Sequence, residues 1–253
     1  GFLLYNKNDI YIGKSIEKYG EFSHLEAKLF EQICKDGDIV IEVGANIGTH
    51  TVTLAKLVGE GFVIAFEPQR LVFQSLCANL AINSISNVYA FQEAVSNENG
   101  TILIPECDFT KTNNFGGINI ENTKNGTTVN KQKLDNFLNK INRLKLLKID
   151  VEGMEISVIK GASELIKKFR PMIYVENDRQ EHSKELIELL WSLDYKMYWH
   201  LPKLYNENNF FNDKENIFGN IVSVNMFCIH KDLDIKVIDM VEVLDSSFHP
   251  MKR

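Results

Sequence analysis

Asp38-Ile39-Val40-Ile41-Glu42-Val43-Gly44-Ala45-Asn46-Ile47-Gly48 is the stretch that decides the fold. Four aliphatic residues around one acid read as a strand buried on both faces. The two glycines that follow mark a turn, and residues 49–58 continue at helical spacing. An apolar strand feeding a Gly-bearing loop and then a helix is how an open α/β sheet presents a nucleoside site. The dinucleotide fingerprint G-x-G-x-x-G is not met, because Asn46 stands where the second Gly belongs. The spacing is acid-x-Gly-x-x-x-Gly. A second apolar run, Gly61 to Phe66, ends in Glu67, 19 residues past Gly48. A carboxylate there can accept both ribose hydroxyls of a bound nucleoside.

Working outward, strand and helix patterns alternate over 38–193, which predicts a doubly wound, mostly parallel sheet. Helices are expected at 21–35 (Ser23 as N-cap), 49–58, 70–82, 133–141, 154–168 and 182–193. Strands are expected at 61–66, Val88–Ala94, Thr101–Ile104, Leu144–Asp150, Pro171–Glu176, Tyr195–Leu201 and Ile221–Ile229, the last two forming an antiparallel edge. Residues 1–37 read as an N-terminal helical cap segment and 38–230 as the main domain. The Asn- and Gly-rich stretch 105–130 reads as a lid insertion. Residues 231–253 form a C-terminal tail whose role the pattern leaves open.

The chain has 253 residues and a formal charge of −6, with no basic stripe, so no nucleic-acid partner is expected. No apolar run approaches the roughly 20 residues of a membrane helix, and no signal peptide is read at the start, so the expected site is the cytoplasm, without membrane insertion. The four cysteines lack C-x-x-C pairing, which points away from zinc and disulfides.

Ligands of open α/β sheets sit beyond the carboxyl ends of the strands. The expected strand ends carry Glu42, Glu67, Glu93, Asp150 and Glu176. Asp150 and Glu152 are two apart and would face one side of a strand. Asp150, Glu152, Glu176 and Asn177 are thus expected to converge, as hard oxygen ligands for a divalent cation or as proton acceptors. Of the histidines, His24, His50 and His182 fall on helices, where surface placement is expected. His200 ends a strand beside an aromatic loop and is the candidate base. The loop aromatics Tyr205, Phe210, Phe211 and Phe218, with Trp199, suit stacking on apolar sugar faces or packing a homodimer.

These motifs together resemble the FkbM family of S-adenosylmethionine-dependent methyltransferases. The resemblance is carried by Tyr19-Gly20-Glu21-Phe22-Ser23, Val43 to Gly48, Ala65-Phe66-Glu67-Pro68, Lys148-Ile149-Asp150-Val151-Glu152-Gly153 and Tyr174-Val175-Glu176-Asn177-Asp178. Asn114-Phe115-Gly116-Gly117, Trp199-His200-Leu201-Pro202 and Gly219 to Asn225 extend it. It implies a Rossmann-like methyltransferase fold and methyl transfer to oxygen, on sugars or polyketide hydroxyls. It implies a cofactor site at Tyr19, Glu21, Glu42, Gly44, Ala45, Asn46, Gly48, Thr51, Glu67, Glu93, Ala94 and Asp150. Glu42 stands where Asp is more usual. The fold is also similar to the macrocin O-methyltransferases, which implies Mg²⁺ held by Asp150 and Glu176-Asn177 beside a sugar. Asp150, Glu176 and His200 are then the catalytic candidates. The alternatives are methyl transfer to nitrogen or protein, for which no Asn/Asp-Pro-Pro-Tyr motif is present, and a non-catalytic cofactor-binding scaffold.

Overall fold

A computed structural model of the chain describes residues 1–118, 123 and 125–251. Two helices, α1 (Ile12–Tyr19) and α2 (His24–Ile33), precede β1 (Ile39–Val43). The chain continues through α3 (Thr49–Val58), β2 (Phe62–Phe66), α4 (Arg70–Ile82), β3 (Val88–Phe91), β4 (Ala94–Val95), β5 (Gly100–Ile104) and β6 (Thr127–Gln132). After a single 3₁₀ turn at Leu134–Phe137 come β7 (Leu146–Ile149), α5 (Glu155–Lys160), α6 (Ser163–Phe169), β8 (Met172–Glu176), α7 (Gln180–Ser192), β9 (Tyr195–His200), β10 (Asn225–His230) and β11 (Val241–Glu242). Eight strands form one sheet in the order β11-β9-β10-β8-β7-β1-β2-β3. The run from β3 to β8 is parallel, and β10 lies antiparallel between β8 and β9. This is the Rossmann-like, doubly wound arrangement, with β1 at its centre and the switch in strand order beside it.

Side chains along a strand alternate between faces, and that parity places the polar residues. Ile39, Ile41, Val43, Leu147, Ile149, Ile173 and Val175 pack into one core layer. Val40, Val63, Ala65, Leu146, Met172 and Tyr174 pack into the other, against Leu29, Phe30, Val52, Ala55 and Leu76 from α2, α3 and α4. Glu42, Glu67, Lys148, Asp150 and Glu176 continue the second layer's parity. The strand tips therefore aim their polar groups at the side covered by α2 and α3. Because β10 runs the other way, its first residue reaches the same edge: Asn225 pairs with Glu176 and with His200.

Several expectations shift. Helix α1 has no counterpart among the expected elements. The strand expected over Val88–Ala94 breaks after Phe91, and Ala94 opens β4, which belongs to a separate three-stranded sheet β4-β6-β5. The end of the expected lid runs into that sheet: Thr127 to Lys131 pairs antiparallel with Gly100 to Ile104. Residues 119–122 and 124, also within the expected lid, lie outside the described residues. The helix expected at 133–141 shrinks to the 3₁₀ turn, and that expected at 154–168 breaks at Gly161, where a Cβ would lie 2.0 Å from the Ser96 carbonyl oxygen. Ser23 precedes α2 as expected but with φ 48° and no capping bond. The tail is docked: β11 pairs with β9, Val243 is buried, and buried His249 stacks edge-on against Trp199. His249 Nε2 lies 2.8 Å from the Asn177 carbonyl oxygen.

Candidate active site

The parallel strands β1 and β7 leave their turns almost touching. Gly44 has φ +82°, and a Cβ there would lie 1.7 Å from the Asp150 carbonyl oxygen. Only glycine fits, on both counts. The Gly44 and Ala45 N–H groups donate to the Phe66 carbonyl oxygen at 2.9 Å each, and the Asn46 N–H donates to Glu67 Oε2 at 3.0 Å. Glu67 Oε1 accepts the Gln69 N–H at 2.8 Å. These bonds fix the loop against the tip of β2. Beyond it opens a cleft of about 440 Å³, lined by Gly44, Ala45, Asn46, Glu67, Asp150 and Glu176 among others.

The inner wall is a buried ionic layer. Lys148, on β7, is 2% exposed, with its ammonium 3.3 Å from Asp150 Oδ2 and 3.6 Å from Glu42 Oε1. Burial opposes its charge, but Asp150, Glu42 and Glu26 outweigh that and hold its pKa above the usual lysine value. Glu42 accepts the Thr51 hydroxyl at 2.6 Å, and burial pushes its pKa up against the pull of Lys148. Glu26, from α2, faces His50 Nε2, from α3, at 3.1 Å and accepts the Asn225 amide at 3.3 Å. Burial would raise the Glu26 pKa, but His50 and Lys148 pull it down to about 2.

The outer wall is the carboxylate cluster. Asp150, Glu152 and Glu176 each bring an oxygen to within 4.8 Å of the others. Glu152 does so from a turn, with φ 55°, and not from the strand that its spacing suggests. Its carboxylate accepts Arg179 Nη2 at 2.6 Å. Glu176 Oε2 is buried without a hydrogen-bond partner among the described residues. Burial, then the neighbouring carboxylates, push the pKa values of Glu152 and Glu176 well above the ordinary glutamate range.

Other expected site residues fall elsewhere. The Tyr19 hydroxyl donates to the Glu215 carbonyl oxygen and accepts the Ile217 N–H, and Glu21 accepts from Asn206 and Phe210. Both tie α1 to the 202–220 loop and neither lines the cleft. Gly48 and Thr51 support the loop and Glu42 from behind. Glu93 accepts from Gln132, and Ala94 is buried in β4; neither lines the cleft. The Asn177 amide nitrogen donates to Ser183 and to the Met226 sulfur, so this side chain is turned toward α7. Glu152 takes the place beside Asp150 and Glu176 that is expected of Asn177. His200 also stands back from the cleft, with Nδ1 2.8 Å from the Tyr174 hydroxyl; burial lowers its pKa. The histidine on the cleft wall is His50, whose helical position alone reads as surface. Its partner Glu26 and the buried Lys148 are further site residues that the sequence does not single out. Helical periodicity does mark 50 and 26 as residues of facing helices, but no spacing rule joins two helices across a strand.

The Methyltransferase FkbM domain model matches residues 42–197. The chain belongs to the FkbM family of S-adenosylmethionine-dependent methyltransferases. Two curated relatives agree. "Methyltransferase 1" of Beauveria bassiana (strain ARSEF 2860) is 24% identical over 181 residues, covering 61% of this chain and 72% of the relative. "Methyltransferase sdnD" of Sordaria araneosa is 27% identical over 188 residues, covering 58% of this chain and 73% of the relative. Among solved structures, the precorrin-6y C5,15-methyltransferase of Geobacter metallireducens GS-15 superposes with a TM-score of 0.52 at 10% identity, over 80% of this chain and 87% of that one. The likeness is one of fold. The FkbM match starts at Glu42, so Glu26 and Asn225, which meet in the inner wall, come from outside the matched region.

The cleft of this FkbM methyltransferase fits the family's cofactor. Its volume lies within the usual ligand-pocket range of ~300–1,000 Å³. Among the described residues, seven carboxylates line it (Glu26, Glu42, Glu67, Asp150, Glu152, Glu176, Asp178) against two cationic side chains, Lys148 and Arg179, and one histidine. That balance suits a sulfonium and an α-amino group and disfavours a pyrophosphate. No helix among the described residues is long and apolar enough to cross a membrane.

Glu67 is expected to make cofactor binding pH-dependent if it holds the ribose. Burial pushes its pKa up to about 7, although two backbone N–H groups favour the charged form. Ribose hydroxyls donate, so they need the ionised carboxylate. Calorimetry with S-adenosylhomocysteine should show affinity rising from pH 6 to pH 8. Glu67→Gln should flatten that dependence and weaken binding at pH 8 by about 1–3 kcal/mol. A Glu67→Gln protein with wild-type affinity and slope would remove Glu67 from the ribose contact.

Proposed function

We propose that this methyltransferase transfers its methyl group to a hydroxyl oxygen of a saccharide or glycosylated small molecule. The observation that carries this reading is the Asp150–Glu152–Glu176 cluster, which opens into the cleft beside the Gly44 loop. The cofactor, when bound, supplies an already activated methyl group. What is left to the chain is alignment of the acceptor and removal of one proton. An alcohol loses its proton near pKa ~15, so a base or a cation must assist. An amine, once deprotonated, carries its own nucleophilic lone pair and has less use for three clustered carboxylates.

The cluster cannot hold three close negative charges without compensation. Arg179 offsets part of it through Glu152, and Lys148 part through Asp150. The raised pKa values of Glu152 and Glu176 mean that a shared proton can offset the rest. The same oxygens also suit a hard divalent cation such as Mg²⁺. Held by Asp150, Glu152 and Glu176, it would supply positive charge that makes an acceptor hydroxyl more acidic. In either case Asp150 is more open than Glu152, their side chains being 41% and 17% exposed. The acceptor hydroxyl is placed against it, and its proton passes to the cluster.

Incubation with cofactor labelled with carbon-13 on the methyl group, across sugar-bearing and sugar-free acceptors, tests the proposal. The expected product shows an O–CH₃ carbon resonance on a sugar-bearing acceptor. Label found on nitrogen, or in polypeptide, would overturn it.

A further inference from the structure

A second cavity, of about 340 Å³, lies against the cleft, and Ile12 and Asn46 line both. Its walls come from the N-terminal segment, from α4 and from the loop carrying Phe109 and Phe115. They are mainly apolar: Leu4, Ile12, Leu71, Val72 and the stacked pair Phe109 and Phe115, with ring centroids 4.5 Å apart. Three polar side chains on these walls, Asp9, Asn6 and Ser75, are engaged with backbone groups, and Gln74 is exposed. Asp9 accepts the N–H of Tyr11, Gly13 and Phe115. Asn6 donates to the Phe109 carbonyl and accepts the Asn8 N–H, and the Ser75 hydroxyl donates to the Leu71 carbonyl. Leu4 is 50% exposed and Leu71 37% exposed, apolar surface that the fold has not covered. Exposed apolar residues gathered around one cavity mark a binding surface more often than residues scattered singly.

We propose that this cavity takes an apolar arm, alkyl or aromatic, of the methyl acceptor, so that the acceptor is amphipathic. The inference rests on the hydroxyl-transfer reading for the polar end and on the cavity's own chemistry for the other. With Asp9, Asn6 and Ser75 bound to backbone, the cavity offers few polar groups to the hydroxyls of a second sugar. It offers apolar area, which is worth roughly fourfold in affinity per buried methylene. Ile12 and Asn46 line both spaces, so an acceptor with its polar end in the cleft has its apolar arm within reach of the cavity. The chain thereby gains a means of choosing among acceptors that share a polar head.

The test is calorimetric binding of methyl, butyl and octyl glycosides to the S-adenosylhomocysteine-loaded protein, below the micellar range. Affinity should rise at least tenfold from methyl to octyl. Ala78→Trp, on the cavity wall and outside the cleft, should abolish that gain while leaving cofactor affinity unchanged; Ser75→Leu provides a second filled cavity with less bulk. A flat series would overturn the proposal. So would a loss of cofactor affinity in the filled variants, which would assign the space to the adenine ring. If chain-length-dependent binding holds but none of the glycosides is O-methylated, the cavity's role stands and the hydroxyl-transfer reading fails.

Discussion

Asp150→Asn should lower kcat more than about tenfold with the fold kept. The amide is isosteric with the carboxylate, and the backbone bond that anchors the position, Asp150 N–H to the Val43 carbonyl at 3.0 Å, is untouched. What changes is the group itself. An amide is not a base, and its nitrogen cannot accept from Lys148, whose ammonium lies 3.3 Å from Asp150 Oδ2. The way the loss responds to conditions separates the two means of neutralising the cluster. If a cation does it, EDTA abolishes turnover of the unaltered enzyme and Mg²⁺ restores it. If a proton does it, turnover survives EDTA. The rate then rises with pH as the cluster ionises, with Glu152 pushed up to about 8 by burial and by Asp150 and Asp178. Circular dichroism should be that of the parent. Normal turnover in Asp150→Asn would take the cluster out of the mechanism and move attention to His50, the imidazole that does reach the cleft.

That replacement of His200 by His50 shows where sequence reasoning stops. The central strand, the Gly loop and Glu67 are legible because they are local: periodicity, a turn residue and a fixed distance along the chain. Asp150 and Glu176 are legible for a related reason, since parallel strands end at the same edge of the sheet. Spacing puts Glu152 in the right place but for the wrong reason, because a left-handed turn and not strand parity brings it in. The failures concern contacts between elements distant in sequence, beginning with what one helix presents to another. A histidine at 50 and a glutamate at 26 look like surface positions until α2 and α3 are laid over the same sheet face. Lys148 sits in a run that reads as a strand tip, and nothing in the run announces a 2% exposed ammonium. Tyr19 and Glu21 err in the other direction. Their residue types suit a site, yet the 202–220 loop, distant in sequence, claims their polar atoms.

Lys148→Met should destabilise the protein by about 3–5 kcal/mol, because it leaves buried acids unpaired. Methionine matches the length of the stem and packs in the layer with Leu146, so the cavity term is small. The cost is electrostatic. Glu42 is 1% exposed and loses its cation at 3.6 Å; Glu26 keeps His50 but loses the Lys148 field. Glu42 already has a raised pKa from burial, and without Lys148 it must rise further. A carboxyl whose folded pKa exceeds its unfolded value binds more protons in the native state, so stability falls as pH rises. The deficit of Lys148→Met should therefore be smaller near pH 5, where Glu42 can be neutral in the folded state at little cost, and grow toward pH 8. Adding Glu42→Gln removes the uncompensated charge and should restore part of the loss, most visibly at the higher pH. Urea unfolding of the four proteins of this cycle at pH 5 and pH 8 measures each term, provided the slopes with denaturant agree. A Lys148→Met midpoint equal to the parent's at pH 8 would mean that the buried layer does not depend on this cation. Midpoints that fall equally at both pH values would point to lost packing, and Glu42 would then have no part in the effect.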